Sequence, residues 1–182
     1  MSTRSMIAAA LAAALLAAPI THAVQADPTA VSAFPGAWFG TWRGPMTTGV
    51  PGGELQALEM ELVIAPTDDH ARFTWTIVYI DGERHERPYT LVTVDAGAGK
   101  YAIDEHNGII LDAFLVGDGL YSQFAMGATS LTASYRLEGE RLVVELVTTT
   151  GDRIAVTGGE NGVPEIKMAP VTAVQRAALT RQ

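Results

Sequence analysis

The chain of 182 residues contains no cysteine. That excludes disulfides, thiolate metal sites and a lipid-modified N-terminal cysteine together. Positive charge is scarce: 12 Lys and Arg stand against 20 Asp and Glu, a net charge of −8, so neither nucleic acid nor anionic lipid is an expected partner. Histidine is equally sparse, and His70, His85 and His106 each lie in or beside a turn. No strand centre offers an axial haem ligand, and no nucleophile, base and orienting carboxylate can be read along the chain. No catalytic residue, metal ligand or cofactor is assigned on these grounds. Long apolar runs are missing as well, apart from Met6 to Ile20, which is alanine-rich, is interrupted near its end by Pro19 and is short of the roughly 20 residues that span a bilayer.

That one run follows Arg4 and precedes Thr21-His22-Ala23 and Val24-Gln25-Ala26. A charged start, an apolar middle and small residues before a cut site make residues 1–26 a secretory signal peptide, cleaved after Ala23 or Ala26. The expectation is an exported protein, periplasmic or secreted, with no membrane insertion after cleavage. The remaining residues suffice for one domain that buries about two-thirds of its unfolded surface without disulfides.

What the rest has in quantity is alternation. Leu58, Met60, Leu62 and Ile64 alternate with Glu59, Glu61 and Val63, and Phe73, Trp75, Ile77 and Tyr79 alternate with Thr74, Thr76 and Val78. Period two means strands with one dry face and one wet face. Similar segments recur at 38–43, 88–94, 101–103, 109–116, 120–126, 130–137, 142–148 and 153–157, divided by Asp81-Gly82, Gly117-Asp118-Gly119 and Glu138-Gly139 turns. Eight to ten antiparallel strands on short links predict an all-β, up-and-down barrel over residues 27–157, closed so that no edge stays bare. Gly44 to Gly53 reads as a long mouth loop. Gly158 to Pro164 reads as a linker, and Val171, Val174, Ala178 and Leu179 after Pro170 read as a short C-terminal helix, so that 158–182 forms a tail outside the barrel.

Phe39-Gly40-Thr41-Trp42 resembles the first-strand signature of the calycins, the lipocalin and fatty-acid-binding barrels; Gly36-Ala37-Trp38 fits the same short pattern. The run from Tyr101 to Asp112, with Leu120 to Phe124, is similar to lipocalin-like exported bacterial proteins. The resemblance implies structural roles for Gly40 and Trp42 at the closed base of the barrel. It also implies a late arginine on that tryptophan, for which Arg153 is the candidate, and an Arg–Tyr clasp on a ligand carboxylate, for which Arg87 and Tyr89 are the candidates.

Met60, Trp75, Ile77, Tyr79, Phe124 and Tyr135 are expected to line a pocket for a small apolar or amphipathic molecule, with Arg87 and Tyr89 at its rim. Inward rings can equally fill an eight-stranded barrel. A cavity of at least about 300 Å³ marks a carrier of drug-sized guests. Two other classes stand beside this non-enzymatic binding reading. One is a calycin-like enzyme (cyclase, isomerase or decarboxylase type) drawing acid–base groups from Arg84, His85, Arg87, Asp104 or His106. The other is a protein-interaction module built on the Gly44–Gly53 loop and the C-terminal helix, with a filled barrel. Asp104-Glu105-His106 with Asp112 is the densest polar group, but a two-residue turn at Asn107-Gly108 would set Asp104 and His106 on one face and Glu105 and Asp112 on the other, dispersing any metal cage.

Overall fold

The alternating segments become strands because only a pleated sheet sends every second side chain to one side. In a computed structural model that describes residues 34–152 and 154–182, a 3-10 turn, Gly36–Trp38, leads into twelve strands: β1 (Gly40–Gly49), β2 (Gln56–Pro66), β3 (Arg72–Ile80), β4 (Arg84–Asp95), β5 (Lys100–Asp104), β6 (Ile110–Val116), β7 (Gly119–Met126), β8 (Thr129–Glu138), β9 (Arg141–Thr150), β10 (Ala155–Thr157), β11 (Ile166–Met168) and β12 (Val171–Arg181). Ten of them close an antiparallel barrel in the order β1, β12, β9, β8, β7, β6, β5, β4, β3, β2. The signal-peptide expectation falls outside the described residues.

The C-terminal helix is not formed. Residues Val171–Arg181 are a strand that pairs with β1 on one side and β9 on the other and so completes the ring. Ala177 and Leu179 point inward and are buried, while Arg176, Ala178 and Thr180 are exposed. This short Ala-rich segment is compatible with helical spacing, but two unpaired strand edges waiting at β1 and β9 outweigh local propensity. The expected linker from Gly158 to Pro164 is the loop of a hairpin, β10 against β11, and this pair forms a sheet of its own, so residues 155–157 are not the barrel strand expected at 153–157.

The long mouth loop is also shorter than expected, because β1 runs on through Gly44 and Pro45 to Gly49. Gly44 permits this: a Cβ there would stand 2.6 Å from the Ala178 carbonyl oxygen on β12. Pro45 has no N–H to donate, and the β1–β12 register accordingly skips from Arg43–Thr180 to Met46–Ala177.

At the end where β1 begins, the barrel is plugged by rings. Trp42 is 1% exposed, donates its indole N–H to the Trp38 carbonyl at 2.8 Å, and carries the Arg181 guanidinium 4.4 Å from its ring centre. Arg181 in turn donates to the Phe39 and Ala37 carbonyls at 2.6 and 2.7 Å. The late arginine on the tryptophan is therefore Arg181, on the segment expected to be helical; Arg153 lies outside the described residues. Phe34 meets Trp38 and Tyr101 edge-on at 4.8 and 4.9 Å, which completes the plug.

Candidate functional site

Above this plug the filling thins. Toward the opposite end a cavity of about 140 Å³ is walled by Ile77, Ile103, Leu111, Phe124, Ala133 and Leu146, with Tyr79, Tyr89, Tyr135, Ser122 and Glu105 supplying its polar atoms. The barrel is thus not solid, and its hollow is below the size expected of a carrier for drug-sized guests. Met46, Met60 and Trp75, each fully buried, take up the space such a carrier would leave open. An outer groove of about 360 Å³ is wider, but it lies open to water between Val50, Leu55, Val171 and Val174.

Of the expected ligand residues, Ile77, Tyr79, Tyr89, Phe124 and Tyr135 come together around the cavity, and Met60, Trp75 and Arg87 are not among its lining. Met60 lies opposite Tyr79 in the sheet. Trp75 packs edge-on against Tyr135, ring centres 5.0 Å apart, and its buried indole N–H, close to that phenol, makes no hydrogen bond. Arg87 is paired with Ile77 in the register but is exposed at the rim. The arginine of the expected clasp stands outside the pocket.

Glu105 takes the inner position instead. The chain turns through His106, Asn107 and Gly108, with Asp104 opposite Ile110 and the Glu105 N–H bonded to the Ile109 carbonyl at 3.0 Å. This is one residue longer than the expected two-residue turn. Its shape is held by the Asp104 carboxylate, which accepts from the His106 N–H, and by the Asn107 carbonyl oxygen, which accepts from the Ile109 N–H, both at 2.9 Å. His106 and Gly108 have φ of 61° and 94°, and local Asx bonding lets a non-glycine residue adopt the first. A register change of one residue moves a whole strand's side chains to the other face. Asp112 consequently lies outside with Asp104, and Glu105 faces inward with Ile103 and Leu111.

The environment of the phenols follows from this. Burial raises the Tyr89 phenol above its ordinary range, the charge of the adjacent Glu105 raises it further, and Arg87 opposes both. Burial likewise raises Tyr79 and, most strongly, Tyr135. Three phenols therefore line the cavity together with one carboxylate, and Tyr89 is the phenol beside it.

The wall beside this cavity is incompletely knitted. Strands β6 and β7 pair only next to their turn, at Phe114–Tyr121, Leu115–Leu120 and Val116–Gly119. Beyond that the ladder stops, and the Ser122 hydroxyl donates to the Asp112 carbonyl at 2.8 Å in place of a backbone bond. Leu111 and Phe124, both half-buried, face each other across the interruption and both line the cavity.

Of the remaining polar candidates, Arg84, Asp104 and His106 lie on the outer wall, and His85, opposite Tyr79, is exposed at the rim. Arg84 begins β4 rather than sitting in a loop, and it bonds Glu61 and Glu86 at 2.8 and 2.7 Å, while His85 approaches Asp81 at 3.3 Å. The Thr90 hydroxyl and His106 Nε2 are 2.9 Å apart. His106 Nδ1 is 3.9 Å from Asp104, beyond hydrogen-bond reach, and Asp104 is engaged by Arg72 at 3.1 Å. Among the described residues no group of three or more His, Cys, Asp or Glu is placed to hold a metal ion, and no helix is long and apolar enough to cross a membrane.

No protein-family description matches the chain, and none of the curated proteins matches it. Among solved structures it is similar to the S-type phycobiliprotein lyase CPES from Guillardia theta, with a TM-score of 0.57 and 11% identity over 84% of this chain and 93% of that one. It is also similar to Rv2717c from M. tuberculosis, with a TM-score of 0.52 and 20% identity over 79% and 92% of the two chains. At such identities the likeness shows the fold, and a closed ten-stranded antiparallel barrel fits the calycin-like, lipocalin or fatty-acid-binder type.

Proposed function

We propose that this chain is an exported, non-enzymatic binding protein whose barrel receives a small apolar or amphipathic molecule. The observation that carries the reading is the cavity of about 140 Å³ with apolar walls and a few converging polar groups, beside a wall whose backbone ladder is interrupted. That volume is close to the roughly 150 Å³ hollow that admits benzene in an engineered core. The guest is accordingly a single ring or short chain, or one end of a longer molecule whose remainder passes out between β6 and β7. The similar solved structures support a barrel able to hold such a guest, and the lyase among them is also compatible with an enzyme on this scaffold.

The test is to fill the hollow. Ala133 is buried in its wall, and Ala133→Leu adds a side chain of suitable bulk. A guest at 100 times its Kd stabilises a protein by about 2.7 kcal/mol. Ring-sized guests such as indole are expected to raise the melting temperature of the wild type and to leave that of Ala133→Leu unchanged. If no guest from indole to retinoids and lipids shifts the wild type, and solvent extracts of the purified protein are empty, the binding reading is overturned.

A further inference from the structure

We propose that the cavity selects a compact organic cation, the ammonium group of a small amine seated against Glu105 among the rings of Tyr79, Tyr89 and Tyr135. The inference rests on the reading of the cavity as a binding pocket and adds the charge class of its guest. Glu105 is the one charged side chain among the lining residues. It takes part in no ion pair among the described residues. Besides the adjacent Tyr89 phenol, its side-chain partner is the Asn107 amide, at 3.3 Å.

A half-buried carboxylate without a cation is unusual on energetic grounds, because partial desolvation weakens its hydration and a paired charge normally offsets that loss. Here the chain supplies hydroxyls and aromatic faces instead. Phenol oxygens accept hydrogen bonds from an ammonium, and ring faces attract a cation through their quadrupole. An anion in the same place would meet the Glu105 charge at short range in a medium that screens it poorly. Arg87 reaches Tyr79 and Tyr89 with its charge from the exposed rim, but it is outside the lining and forms no ion pair with Glu105, so the carboxylate is left to pair with a guest.

Three probes of one shape separate the possibilities: benzylammonium, benzyl alcohol and benzoate, titrated calorimetrically into the purified chain. Benzylammonium is expected to bind about tenfold more tightly than benzyl alcohol, with benzoate weakest. Glu105→Gln should bring benzylammonium down to the level of benzyl alcohol and leave benzyl alcohol unchanged. Ala133→Leu should abolish both, which separates seating in the cavity from adsorption to an acidic surface. Benzyl alcohol binding with benzoate as tight as benzylammonium, or with no effect of Glu105→Gln, overturns the cation selectivity and leaves the pocket standing. Binding of benzylammonium alone that survives Ala133→Leu places the cation on the surface and overturns the proposal. Failure of all three probes, with no shift in melting temperature, overturns the pocket as well.

Discussion

Trp42 is the residue on which the closed end turns, since its ring is buried, its N–H is satisfied by Trp38 and its face is covered by Arg181. Trp42→Ala removes the ring and leaves a hole, with an expected loss of about 3–5 kcal/mol. Arg181→Gln keeps much of the packing but gives up a cation over the ring and charged hydrogen bonds to Phe39 and Ala37, an expected loss of about 1–3 kcal/mol. Denaturant unfolding of both variants checks the order. An Arg181→Gln loss as large as that of Trp42→Ala would show that the guanidinium, not the ring, organises the base. Trp42 was legible in the chain from its Gly-x-Trp setting. Arg181 was not, because its role depends on a strand pairing between residues 139 positions apart, Trp42 opposite Arg181.

At the scale of elements, the strands are unequal in how they are held. β8 is paired along its length with β7 and β9. β6 and the outer part of β7 lack each other beyond Phe114 and Tyr121. Amides in Gln123–Met126 directed at the interruption should exchange with solvent faster than those of β8 and β9, since local opening there breaks fewer bonds. Native-state hydrogen exchange measures this, and uniform protection across β6, β7 and β8 would remove the side opening from the binding reading. The same unevenness explains a limit of the alternation pattern. It shows that 109–116 and 120–126 are strands, but the interruption is a matter of which backbone groups meet, and both sides carry ordinary strand residues.

For the molecule as a whole, the interior tyrosines set the response to alkali. Tyr79, Tyr89, Tyr101 and Tyr135 all have phenols raised above their ordinary range, in each case first by burial. A group that holds its proton more tightly when folded contributes stability that is complete below its unfolded pKa, here about 10, and lost as pH rises through the folded value. Stability should therefore fall above about pH 10. Tyr135→Phe, which removes the most strongly raised of these phenols, should flatten that fall while changing stability little at pH 7; urea unfolding at both pH values compares them. An unchanged alkaline slope in Tyr135→Phe would mean that its phenol is hydrated in the folded state. Alternation, turn residues and a Gly-x-Trp start were sufficient to specify an antiparallel barrel with Trp42, Tyr79, Phe124 and Tyr135 inside, because side-chain direction along a strand is a local property. The closing strand, the partner of Trp42, the inward turn of Glu105 and the volume of the hollow were decided by tertiary structure. Each depends on the register between segments and on the summed bulk of side chains from many strands, and neither quantity is written in any one stretch of chain.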